Sequence, residues 1–195
     1  MKKTSAILLV ATIFFSGINM DAQLLKLDTK KSSIVWTGKK VTGSHTGKIS
    51  LLSGSLTQSG KNYIAGELVA DMKSITCDDL TDAETNAKLV GHLKSDDFFG
   101  VETFPTAKLV ITNGKVKSIN QVEFSGDLTI KGITQPVTFD ANITPDLKGV
   151  KFSGKLTVDR SKFNVRFGSG SFFDNLGDNM IYDPFDLDFN AYFTK

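Results

Sequence analysis

The stretch from Val122 to Ile143 constrains the fold most, because two runs of two-residue alternation flank one compact turn. Val122, Phe124, Leu128 and Ile130 fall on one face, while Glu123, Ser125, Asp127 and Thr129 fall on the other. Successive strand side chains point to opposite sides, so this is a half-buried strand. After Lys131-Gly132-Ile133-Thr134-Gln135-Pro136 the alternation resumes, with Val137, Phe139, Ala141 and Ile143 apolar. The predicted unit is an antiparallel hairpin with one dry face and one wet face. Gly126 interrupts the dry face, which predicts a bend or a close approach to the backbone. A strand bent in this way curls toward a barrel.

Residues 1–22 read as a cleaved signal peptide. Lys2 and Lys3 precede the apolar run Ile7 to Phe15, which is too short to span a bilayer but long enough to direct export. Cleavage is expected after Ala22, and no cysteine follows the apolar run to carry a lipid anchor. A periplasmic or otherwise exported protein is expected. Residues 23–195 suit one domain. The formal net charge of +2 gives no electrostatic case for nucleic acid or for an acidic membrane surface. Cys77 is the single cysteine, so no intramolecular disulfide is available and the core must hold the fold. Of 15 phenylalanines only Phe14 and Phe15 fall in the leader. That leaves a generous set, part of which is expected to line a cavity.

Further strands are expected within Leu24–Lys40, as one strand or a pair, and at Ile49–Thr57, Tyr63–Met72, Ala107–Thr112, Val150–Val158 and Phe185–Phe193. Gly43 to Gly47 and Ser59 to Asn62 read as loops or turns, and Asn113-Gly114 as a hairpin turn. One short helix is predicted from Asp82 to Leu93, with Thr81 and Glu84 at capping-box spacing. Arg160 to Asn179 reads as a long loop over one end of the sheet. About eight one-sided strands and one helix predict an all-β, antiparallel up-and-down barrel, since closure leaves no open edge. A sandwich is the alternative architecture.

Four blocks stand out together: His92-Leu93-Lys94-Ser95-Asp96-Asp97-Phe98-Phe99 with the following Phe104-Pro105-Thr106-Ala107, the hairpin Phe124 to Val137, Asp159-Arg160-Ser161-Lys162-Phe163, and the glycine-flanked His45 segment. In combination they resemble the YceI-like family. The resemblance implies an extended eight-stranded lipocalin-like barrel. It also implies an apolar interior that holds a polyisoprenoid, such as an isoprenoid quinone or polyprenyl lipid, in exported bacterial members. The segment Phe172 to Asn179 makes the approach to the last strand longer than is usual in the family.

Candidate ligand-binding residues are His45, Asp97 and Arg160 among polar groups, and Phe98, Phe99, Phe104, Phe124, Phe139, Phe152, Phe163 and Phe167 among aromatic ones. His45 could donate to a head group or be a solvated loop histidine. Arg160 suits an oxyanion or a quinone carbonyl, or hydrogen bonds that hold the loop after it. His92 is expected to serve the helix C-terminus, and Asp78-Asp79 and Asp96-Asp97 to be caps or solvated charges. No carboxylate stands at ligand spacing from either histidine along the chain, so no metal site is expected. Neither Ser44 nor Cys77 sits in a nucleophile motif, so no catalytic residue is expected.

Each buried CH₂ contributes about 0.8 kcal/mol, so ten sheltered carbons supply roughly 8 kcal/mol against an association cost of about 4 to 15. Affinity is therefore expected from a long tail, with the head group supplying orientation. The expected function is non-enzymatic carriage or storage of a long-chain lipid, with no cofactor besides such a ligand and no stable membrane insertion. An enzyme acting on the lipid would need His45, Arg160 and Asp97 to converge. A packed structural barrel would have Phe124, Phe139 and Phe152 filling its axis and no void of about 300 Å³. The outer strand faces leave a homodimer open without requiring one.

Overall fold

Every strand of the computed structural model, which describes residues 22–195, belongs to one antiparallel sheet that closes on itself. The expected leader, residues 1–22, lies outside the described residues apart from Ala22, which opens the first strand. The strands are β1 (Ala22–Leu27), β2 (Ser33–Lys40), β3 (Gly43–Ser59), β4 (Asn62–Asp71), β5 (Thr106–Ser118), β6 (Gln121–Ile130), β7 (Ile133–Asp146), β8 (Gly149–Asp159) and β9 (Pro184–Thr194). The helix α1 (Ala83–Lys94) lies between β4 and β5.

β1 and β2 pair with different lengths of the same two neighbours, β3 and β9. They therefore occupy one position in series, and the nine strands make an eight-position barrel. The break between them is held by Asp28, whose carboxylate accepts from Lys30 N at 3.1 Å. Ser32 Oγ donates to Asp28 O at 2.7 Å and accepts from Tyr192 N at 2.9 Å, which keeps the ladder to β9 occupied across the gap.

The central hairpin is β6–β7, with a two-residue turn at Lys131 (φ +50°) and Gly132 (φ +74°). Pro136 is therefore inside β7 rather than in the turn. Counting alternate pairs from Ile130–Ile133, Pro136 stands opposite Asp127 at a non-hydrogen-bonded position. Its ring nitrogen faces the stretch of β7 that has no ladder to β8, since those strands pair only over Ala141–Asp146. At Gly126 a Cβ would lie 2.2 Å from Val110 O, and the β5–β6 register shifts beside it between Ile111 and Asn113.

Two segments expected to turn are strand instead. Gly43 to Gly47 begins β3, paired with β2, and Asn113-Gly114 lies within β5. The reversal from β5 to β6 comes at Ile119-Asn120. The helix begins one residue later than expected and is capped by Asp82, which accepts from Thr85 N at 2.9 Å, rather than by Thr81.

Leu93, Leu89 and Val90 of α1 pack with Trp36, Ile75, Phe98, Val158 and Phe163 in the core cluster at the helix end of the barrel. A second cluster, built on Leu25, Leu56, Tyr63, Val122, Phe124, Phe152 and Phe193, fills the other end. Outward positions carry charges such as the Lys117–Glu123 and Lys117–Asp140 pairs, at 2.7 and 2.8 Å. Polar outside and apolar inside is the inverse of a membrane-spanning barrel. Among the described residues no helix is long and apolar enough to cross a membrane.

Candidate ligand-binding cavity

Inward-facing side chains of the strands leave two adjoining chambers along the barrel. The deep chamber, about 130 Å³, is lined almost wholly by apolar groups, among them Leu56, Leu68, Leu109, Phe124, Phe139 and Phe152. The outer chamber, about 220 Å³, lies under α1 and the segment before β9, and it mixes Trp36, Leu89 and Phe98 with Lys39, Lys40, His45, His92 and Tyr182. Ile49, Phe99 and Phe185 line both chambers and so stand at their junction. The rings of Phe99 and Phe185 meet edge-on there, with centroids 6.4 Å apart.

The aromatic floor of the deep chamber is a connected set. Phe124 stands 5.5 Å from Phe152 and 5.7 Å from Phe139, and Tyr63 meets Phe152 edge-on at 4.9 Å. Burial raises the pKa of the Tyr63 phenol, so the floor is neutral as well as apolar. These rings fill one end of the axis and leave the length above them open. Neither chamber alone reaches 300 Å³, whereas their volumes taken together, with Phe99 and Phe185 between them, exceed it.

The eight aromatic candidates divide five to three. Phe98, Phe99, Phe124, Phe139 and Phe152 line a chamber. Phe104 does not: its ring packs against the backbone at Gly132 and Gly100. Phe163 is fully buried core between the barrel and the segment after β8. Phe167 is 45% exposed and meets His92 edge-on at 4.3 Å, on the wall of an outer groove. Asp97 belongs to that same groove and lines neither chamber.

Arg160 is only 3% exposed and borders the outer chamber, yet it turns its donors away from it. Nε donates to Tyr182 O at 3.2 Å, Nη1 to Val165 O at 2.9 Å and Phe167 O at 2.8 Å, and Nη2 to Ile181 O at 2.9 Å. The other Nη2 hydrogen faces Asp183 Oδ1 at 3.4 Å, an ion-pair contact without a hydrogen bond. A guanidinium has five N–H groups, so none is left for a ligand. Burial lowers the Arg160 pKa, and Asp183 and Asp159 oppose that shift. Arg160 is the clasp of the 160–183 segment.

His45 lies on β3, half exposed, with Nδ1 2.9 Å from Asp79 Oδ2. Asp79, though exposed, is therefore no free loop charge: its carboxylate also accepts from Thr46 N at 2.9 Å, which ties it to β3. Desolvation pushes its carboxyl up, but hydrogen bonds from Thr46 N, His45 and Cys77 outweigh that and hold it at about 2. Cys77 Sγ bonds Asp79 Oδ1 at 3.2 Å, and burial pushes the thiol up. The thiol thus hydrogen-bonds a carboxylate and is held in its protonated form, the opposite of an activated nucleophile. His92 does not cap α1, whose last turn is closed by Ser95; its ring packs against Phe98 and Phe167 at the outer chamber.

Sequence reading missed Lys39, Lys40, Trp36, Tyr182 and Phe185 as cavity residues. Trp36 and Phe185 did carry an inward-alternation signal. Lys39 and Lys40 carried none, because strand-end lysines are ordinary at a solvent-facing rim.

A closed antiparallel barrel with one short helix over one end and an apolar internal chamber defines a lipocalin-like class of protein. Within it, the YceI-like domain family matches residues 25–193. The chain belongs to that family. A UPF0312 protein of Pseudomonas putida KT2440 is 28% identical over 174 residues, covering 85% of this chain and 88% of the relative. Among solved structures, BcnA of Burkholderia cenocepacia superposes with a TM-score of 0.67 at 23% identity, covering 85% of this chain and 98% of that one. A polyisoprenoid binding domain from Saccharophagus degradans, implicated in plant cell wall breakdown, superposes at 0.65 with 17% identity, covering 87% and 97%. At these identities the structural likeness establishes the shared fold.

Proposed function

We propose that this protein is an exported, non-enzymatic carrier or store of a long-chain amphiphile, a polyisoprenoid such as an isoprenoid quinone or a polyprenyl lipid. The observation that carries this reading is the polarity gradient along one cavity. An apolar chamber floored by Phe124, Phe139 and Phe152 adjoins, at Phe99 and Phe185, a chamber rimmed by Lys39, Lys40, His45 and His92. That is the shape of a tail below a head group. Membership of the YceI-like family and the ligand named for the Saccharophagus degradans relative support it.

The enzymatic reading required His45, Arg160 and Asp97 at one place. Asp97 faces the outer groove, and the Arg160 donors are engaged with backbone carbonyls and Asp183. The reading is tested by purifying the protein from a bacterial periplasm without detergent and extracting it for mass spectrometry. A stoichiometric polyprenyl species is expected. A protein that emerges empty and fails to take up a quinone or polyprenyl lipid would overturn it.

A further inference from the structure

We propose that His45, Cys77 and Asp79 form a binding site for one thiophilic divalent cation, with Zn²⁺ the ion that their donor set matches. An imidazole nitrogen, a thiol sulfur and a carboxylate oxygen, from residues 34 positions apart, lie within 4.8 Å of one another. Nitrogen, sulfur and oxygen in one set of three is the ligand chemistry of zinc sites that keep a fourth position for water. His45 and Asp79 side chains are each about one-third exposed, at 31% and 32%, which leaves an approach for the ion and that water.

The donors are held in place by backbone contacts that make no use of their side chains. Thr76 N donates to Lys48 O at 3.0 Å and Asp78 N to Thr46 O at 2.8 Å, so residues 76–78 lie along β3. Trp36 Nε1 donates to Thr76 O at 3.0 Å and Asn86 Nδ2 to Cys77 O at 2.8 Å, which fixes the segment from the barrel and from α1. The crossing is possible only because residue 47 is glycine: a Cβ there would lie 1.9 Å from Thr76 O. Sulfur and imidazole are thus brought to one carboxylate by a braced segment rather than by a free loop.

Zinc bonds of about 2.0 to 2.3 Å in a tetrahedron put donors roughly 3.3 to 3.8 Å apart. The donors of the present set lie within 4.8 Å of one another, so the widest pair is at most about 1 Å beyond that range, a gap on the scale of a side-chain torsion adjustment. Binding replaces the two hydrogens that now bridge to Asp79. The Cys77 proton goes to solvent as the thiolate forms, and the proton that His45 shares with Asp79 leaves Nδ1 by exchange through solvent, so that the neutral imidazole carries its one proton on Nε2 and presents the Nδ1 lone pair.

The test uses untagged protein expressed from the full sequence, kept reduced and freed of metal by dialysis. Calorimetric titration with Zn²⁺ is expected to give one ion per chain. Co²⁺ is expected to give thiolate-to-metal charge-transfer absorption together with tetrahedral ligand-field bands. Outer-shell changes alone weaken metal sites by about 10- to 100-fold, so Cys77→Ser and His45→Gln should each weaken Zn²⁺ by roughly 100-fold, and Cys77→Ser should abolish the charge-transfer band. His45→Gln removes a half-exposed side chain and keeps the test valid if Cys77→Ser does not fold. Absence of Zn²⁺ uptake, or uptake indifferent to both substitutions, would overturn the proposal and leave the cluster as a fastening of residues 76–79 to β3.

Discussion

At the level of single residues, the contrast between Arg160 and His45 separates what holds this molecule together from what faces its cavity. Both border the outer chamber, and both are polar groups of the kind that recognises a ligand. Arg160, however, satisfies four carbonyls of its own chain and faces a half-buried carboxylate whose other oxygen accepts from Ser171 Oγ at 2.6 Å. Arg160→Lys keeps the charge but not the planar fork, and one ammonium cannot reach all four carbonyls in a largely dry setting. Breaking such an arrangement costs about 3 kcal/mol or more. Urea denaturation is expected to show that loss, with the denaturant slope unchanged for a locally loosened native state. A destabilisation below about 1 kcal/mol would mean that the 160–183 segment is held by its other contacts. From sequence both readings of Arg160 were open, because an arginine after an inward-alternating strand has the same spacing whether it clasps backbone or ligand. His45 was open for a different reason, since its partner Asp79 lies 34 residues further along the chain and nothing local announces it.

At the level of elements, alternation was legible and the meaning of glycine was not. β6, β7, β8 and β9 follow the inward and outward positions read from the chain, because one buried face forces period two. Gly114 looked like the second residue of a hairpin turn. It is instead a strand residue whose Cβ would lie 2.8 Å from both the Phe124 ring and Tyr63 O, so its smallness serves the aromatic floor. Gly47 likewise serves a crossing segment. Gly126 was read as a close approach, and the Val110 carbonyl oxygen is what approaches. Gly126→Ala is therefore expected to destabilise the barrel by roughly 3 kcal/mol, the upper range for overpacking a rigid backbone contact. Gly91 on α1 provides the opposite case, with nothing within 4 Å of a Cβ and a helical backbone. Gly91→Ala is expected to stabilise by up to about 1 kcal/mol. Measured side by side in urea, equal effects at the two sites would contradict the assignment of Gly126 to a tight β5–β6 approach.

At the level of the whole molecule, the two ends of the barrel have different jobs. One end is packed by Tyr63, Phe124, Phe152 and Phe193. The other is covered by α1 and the 160–183 segment, with lysines and histidines at the rim of the outer chamber. A ligand that enters from the outer chamber must pass its tail between Phe99, Phe185 and Ile49 to reach the deep one. Under the proposed lipid-binding reading, affinity then depends on tail length in a stepwise manner. With one quinone head group and a lengthening tail, each newly buried CH₂ adds at most about 0.8 kcal/mol, or roughly fourfold in affinity. The gain is expected to stop once the tail meets the aromatic floor. Trp36 is the single tryptophan and lines the outer chamber, so quenching of its fluorescence by a quinone reports head-group arrival directly. Ile49→Phe adds bulk at the junction without touching the rim. It is expected to weaken long-tailed quinones by about tenfold or more, the effect of excluding two or so CH₂ groups, while short-tailed ones that stay in the outer chamber bind as before. Affinity that ignores tail length in the native protein would place the tail outside the deep chamber. A uniform loss across the series in Ile49→Phe would show that the junction governs entry to both chambers rather than the passage between them.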